Sequence, residues 1–98
     1  MNEIELKVNK YKQAVFVIEE DDEMKAELCF VFIGKKLIAY HTYVTPELRG
    51  RGIARELTAR MVAYARRHRM KVIALCPYIK ALFEKNPALY EDVWGDLQ

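Results

Sequence analysis

Four strand-like runs, two of them alternating, fill the first 44 positions and one run of helical period follows, a change of rhythm that limits the folds open to the chain. Ile4, Leu6 and Val8 alternate with polar residues. After the break NKYK comes QAVFVIEE, and after DDEM comes a run carrying Ala26, Leu28, Phe30 and Phe32. A turn at Gly34 to Lys36 returns the chain into Leu37 to Val44, so the spacing predicts an antiparallel meander of four strands that Pro46 stops. From about Gly52 to His68 the apolar residues Ile53, Leu57, Met61 and Tyr64 recur every three or four positions, whereas Arg55, Glu56, Arg60 and Arg67 fall mostly elsewhere. That is an amphipathic helix. A short strand from Lys71 to Leu75 runs into Cys76 and Pro77, and a second helical stripe of Ile79, Leu82 and Phe83 is ended by Pro87. The expected fold class is α+β: antiparallel strands, helix, strand, C-terminal helix.

A chain of 98 residues with no linker, repeat or low-complexity tract is expected to form one domain spanning 1–98. No apolar run approaches the roughly 20 residues of a membrane span, and MNEIELKV lacks the basic start and apolar middle of a signal peptide. A cytoplasmic protein with no membrane partner is expected. Cys29 and Cys76 lie far apart with no CxxC or Cys/His cluster, which argues against a disulfide framework and against any metal site. The net charge of +2 is too small to advertise nucleic-acid binding, yet seven arginines fall between Arg49 and Arg69. Glu56 is four residues from Arg60 and able to pair with it, and no aromatics interleave on the outward face for stacking on bases. The arginines therefore read as a solvated helix face, with no nucleic-acid partner expected and a basic binding surface as the less favoured alternative.

The stretch TPELRGRGIA, Thr45 to Ala54, sets two glycines between arginines after a strand and before a helix. Glycines at 50 and 52 allow a tight turn and the close approach of a ligand to the main chain. The first amides of the helix, at Ile53 and Ala54, have no intrahelical acceptor and sit at the positive end of its dipole, which suits a phosphate; Arg49 and Arg51 add charge. The segment lacks the GK[ST] ending of a P-loop and departs from GxGxxG, so neither mononucleotide nor dinucleotide binding is favoured. A plain turn with a helix cap accounts for the glycines equally well.

VTPELRGRGIA, Val44 to Ala54, resembles the acetyl-coenzyme A binding motif of the GNAT superfamily of N-acetyltransferases, with Arg49, Gly52 and Ala54 in the motif's places. HTYVTPELRGRGIA, CPYI and EKNPALYED together resemble a small single-domain branch of that superfamily. The resemblance implies a minimal GNAT-like fold with a central β-α-β unit, whose two parallel strands splay apart to admit the pantetheine arm. It implies acetyl-CoA, or coenzyme A, bound by Tyr43, Val44, Arg49, Gly50, Arg51, Gly52, Ile53 and Ala54, and transfer of acetyl to a small-molecule or protein amine. Typical members carry two additional helices near the N-terminus that shape the acceptor site, for which this chain is expected to have no room. Pro46 and Pro77 cannot donate to a ladder, so both favour the splay, and main-chain groups around Tyr43 and Val44 would be left to pair with the amides of pantetheine.

Two catalytic candidates follow from that placement. Cys76 is expected at the splay, where its thiolate could accept acetyl transiently or where it could simply pack. His41 could take the acceptor's proton or merely line the sheet. Tyr78 could protonate the departing thiolate, although an aromatic opening a helix is more often core. A non-catalytic module binding coenzyme A or acetyl-CoA remains an alternative. The acidic cluster Glu19 to Glu23 reads as a solubilising turn more readily than as a cation site, and Tyr90 and Trp94 are open to either packing or an interface. The acceptor and the oligomeric state are not written in the residues.

Overall fold

The computed structural model describes residues 3–96. Its strands are β1 (Glu5–Val8), β2 (Gln13–Glu20), β3 (Glu23–Ile33), β4 (Lys36–Val44) and β5 (Lys71–Ala74), and its helices are α1 (Ile53–Arg67), α2 (Pro77–Lys85) and α3 (Pro87–Tyr90). A single 3-10 turn, Pro46–Leu48, precedes α1. The strands lie in one sheet in sequence order. β1 to β4 pair antiparallel, as their alternation implies, and β5 joins β4 in parallel through the α1 crossover. The β2–β3 turn is tight because Asp21 and Asp22 both adopt left-handed backbone, a conformation aspartate tolerates.

One face of the sheet makes the core. Ala14, Phe16, Ile18, Ala26, Leu28 and Phe30 are buried against Ile53, Leu57, Met61 and Ala65 of α1, and Ile79 and Phe83 of α2 join the same cluster. The strand residues of opposite parity, among them Val15, Glu27, Cys29, His41 and Tyr43, form the other face; most stay partly or largely exposed, although Val17 and Ile73 are buried there. Helix α1 ends with Arg69 in left-handed conformation, the Met70 N–H donating to Ala65 O at 2.8 Å and the Arg69 N–H to Arg66 O at 3.3 Å. This is the double hydrogen-bonded ending usually built on glycine.

One expectation needs correction. Pro87 does not simply end the second helix: α2 stops at Lys85, and Pro87 opens α3, where proline's missing N–H costs nothing. Beyond α3 the chain returns to the sheet. Val72 forms a parallel bridge with Trp94, with Val72 N–H donating to Val93 O at 2.6 Å and Gly95 N–H to Val72 O at 2.9 Å. Tyr90 and Trp94 are thus packing residues: Tyr90 stacks on Phe83 at 4.5 Å and Trp94 meets it edge-on at 5.6 Å.

Candidate functional site

The central strands separate earlier than the prolines require. Parallel pairing runs only from Lys36 opposite Lys71 to Ala39 opposite Ala74, so no residue of β5 stands opposite Tyr40–Val44. At that point β4 bulges: Cys29 pairs with His41 and Phe30 with Ala39, leaving Tyr40 as the extra residue. Across the opening, the N–H groups of both Leu75 and Cys76 converge on Ala39 O at 2.9 and 3.0 Å, which ends the ladder. The bulge and this doubled hydrogen bond open the gap. Pro46 lies well beyond it, and Pro77 serves as the first residue of α2.

The glycine turn stands at the end of the diverging β4. Gly50 and Gly52 have φ of +82° and +73°, the left-handed region that glycine enters without strain. A β-carbon on either would meet no atom of the protein within 4 Å, so their bare surface looks onto open space. The first intrahelical bond of α1 is Glu56 N–H to Gly52 O at 3.0 Å. The N–H groups of Ile53, Ala54 and Arg55 therefore lack a helical acceptor. A hollow of about 240 Å³ lies here, lined by Arg49, Gly50, Gly52, Ile53, Ala54 and Arg55, by Val44 and Leu48, and by Tyr78. Bare glycines, unclaimed amides and adjacent arginines suit an anionic phosphate ester.

The remaining site residues are distributed around the gap. Thr45 N–H donates to Lys25 O of β3 at 2.8 Å, and by strand alternation Tyr43 also turns its main chain to β3. Thr42 and Val44 present theirs to the gap, and Val44 O accepts Arg49 Nε at 3.0 Å, tying the turn to the strand. Cys76 is 4% exposed on the core side, its Sγ 3.5 Å from Thr42 Oγ1. His41 is on the other face, its side chain 48% exposed and its Nε2 3.3 Å from Glu27 Oε2. The sheet thus separates Cys76 and His41.

Glu27 was not legible from sequence because its neighbour is set by cross-strand register. Tyr78 was misread: it is 39% exposed and lines the hollow, with burial pushing its hydroxyl above the usual tyrosine range. The stripe Ile79, Leu82, Phe83 already leaves position 78 off the buried face. Among the described residues no group of three or more His, Cys, Asp or Glu is placed to hold a metal, and no helix is long and apolar enough to cross a membrane.

A family model described as GCN5-related N-acetyl-transferase matches residues 15–93. The chain belongs to this family. Among solved structures, a GCN5-like putative N-acetyltransferase from Staphylococcus aureus is 28% identical with a TM-score of 0.70, and the match covers 100% of this chain and 94% of that one. The ribosomal-protein-S18-alanine N-acetyltransferase of Escherichia coli shares the fold at 13% identity and a TM-score of 0.64, over 79% of this chain and 53% of that one. A ribosomal-protein-alanine N-acetyltransferase from Brucella melitensis biovar Abortus matches at 19% identity and a TM-score of 0.61, over 91% and 67%. The chain thus spans about half the length of the Escherichia coli enzyme it matches. A search of curated proteins gives no match. The additional helices expected of typical members have no counterpart between residue 3 and α1, where only strands, turns and the 3-10 turn occur.

Proposed function

We propose that this GNAT chain is an acetyl-CoA-dependent N-acetyltransferase that moves acetyl from the thioester to an amine, of a small molecule or a protein, in the cytoplasm. The observation that carries the reading is the glycine turn: two left-handed glycines with open space before them, at the free amide end of α1 and beside a gap in the sheet. Acetyl-CoA, when bound, supplies an acyl carbon activated by a thiol leaving group. The residues of the chain do the rest. Amides of Gly50 to Arg55, with Arg49 and Arg51, hold the pyrophosphate, and the gap-side main chain of Thr42 and Val44 lines the path of the pantetheine arm, with Tyr43 on the same strand.

An ammonium must lose a proton before it can attack. His41, exposed on the open face, is the base we assign. Glu27 beside Nε2 leaves Nδ1 as the nitrogen for the acceptor. Tyr78 keeps its proton at neutral pH and can return one to the departing thiolate. Cys76, buried on the far side against Thr42, shapes the thioester end of the site, which favours direct transfer over an acetyl-cysteine route.

Calorimetric titration tests the donor site. Gly52→Asp, which sets a carboxylate against the pyrophosphate, should weaken acetyl-CoA binding more than tenfold, about 1.4 kcal/mol. Arg49→Ala should weaken it less, because amides carry much of the contact. Unchanged affinity in folded Gly52→Asp would overturn the assignment, and tight binding with no thiol release from a mixture of amines would leave a non-catalytic acetyl-CoA module.

A further inference from the structure

The end of the sheet opposite the glycine turn is built from three basic connections. β1–β2 supplies Lys10 and Lys12, β3–β4 supplies Lys35, and the passage from α1 to β5 supplies Arg67, His68 and Arg69; none of the three contains an acidic residue. Backbone bonds hold them together, Phe32 N–H to Lys12 O and Lys71 N–H to Lys35 O, both at 3.0 Å. Two hollows open on this pole. One, of about 520 Å³, is flanked by Lys12 and Lys35 and backed by Phe32; the other, of about 350 Å³, is flanked by Arg60 and Arg67 and backed by Phe16. They share one wall, Tyr64 and His68, whose rings lie 4.2 Å apart and 34° from parallel. No carboxylate lines either hollow.

Both reasons for reading these cations as a solvated face are absent from the structure. Arg60 makes no ion pair with Glu56, and Lys12, Lys35 and Arg67 have no ion-pair partner among the described residues. Rings line the hollows beside them: His68 is exposed, and Tyr64 and Phe32 are half-buried behind it. We propose that this pole binds single-stranded nucleic acid, with bases stacked on either side of the His68–Tyr64 wall and phosphates on the four flanking cations. Two adjacent cationic hollows divided by a ring pair match a chain of alternating planar and anionic units. A flat anionic membrane would reach the cations but not the recessed rings.

Fluorescence anisotropy with labelled oligo(U) and oligo(dT) of about twelve nucleotides tests this. Binding should be tolerant of sequence and fall with salt at a log–log slope of about −2.8, for four neutralised phosphates on a single strand. Lys35→Gln/Arg67→Gln should halve that slope to about −1.4. His68→Ala should cost about tenfold in affinity, roughly 1.4 kcal/mol, and leave the slope unchanged. Each variant should melt as a folded protein and bind acetyl-CoA like the parent, because the glycine turn lies at the other end. No binding at low salt, or affinities that neither variant changes, would overturn the proposal. So would binding to phosphatidylserine vesicles with none to the oligonucleotides, which would assign the pole to a membrane.

Discussion

Cys29 and Cys76 are both free thiols, but their surroundings give them different chemistry. Burial, reinforced by Glu27, pushes the Cys29 thiol up to about 11, so its reactive thiolate is scarce at neutral pH. Alkylation of Cys29 in the folded protein should therefore be slower at pH 7 than that of a free cysteine by about 300-fold, the thiolate ratio set by the difference between 11 and roughly 8.5. It should rise tenfold per pH unit until pH 11; a flat rate between pH 7 and 9 would show that the thiol is not held in this way. Cys76 is limited instead by access. If transfer is direct, Cys76→Ser should retain most activity, and incubation with acetyl-CoA alone should leave Cys76 open to alkylation after unfolding. An acetyl group on the peptide containing Cys76, formed before any amine is added, would establish the carrier route instead.

Elements end where the backbone can satisfy its last hydrogen bonds, and two ends in this chain carry a measurable cost or constraint. Arg69 occupies the left-handed position of the α1 ending, which disfavours a side chain by about 1 kcal/mol, so Arg69→Gly should stabilise by up to that amount. At the return strand the opposite holds: a β-carbon on Gly95 would come within 2.7 Å of Lys71 Cβ. Gly95→Ala should destabilise by about 1–3 kcal/mol, with thermal melts of the two variants moving in opposite directions by several degrees. These ends also mark the limit of what residue order conveys. The four-strand meander, α1 and β5 were legible because period and punctuation are local properties of Leu6, Phe30, Ile53 or Pro46. The Tyr40 bulge, the Glu27–His41 contact and the Val72–Trp94 bridge depend on register between distant segments, which alternation leaves open. The glycine turn was visible because its chemistry is contiguous, whereas the aromatic and cationic pole was not, because four separate elements supply it.

At the scale of the whole molecule, the sheet has one face committed to the core and one that is mostly exposed. Every strand of the meander from β2 onward sends alternate residues beneath α1 and α2, and the other parity carries Glu27, Cys29, His41 and Tyr43. Stability and, on the proposed function, acceptor chemistry thereby fall to opposite parities of the same strands. Neighbouring positions on β3 should then respond very differently. Phe30 is fully buried and stacks on Phe16 at 5.6 Å, whereas Val31 faces the other way and is half-buried. Phe30→Ala should cost about 3–5 kcal/mol, a large part of the 5–15 kcal/mol typical of a domain. Val31→Thr should cost less than about 1 kcal/mol. Denaturant unfolding followed by circular dichroism measures both. Because Phe30 does not line the hollow at the glycine turn, the fraction of Phe30→Ala that remains folded should still bind acetyl-CoA, and its apparent melting temperature should rise as ligand is added. Equal destabilisation by the two substitutions would mean that a second layer covers the open face, which would count against the proposed role of His41.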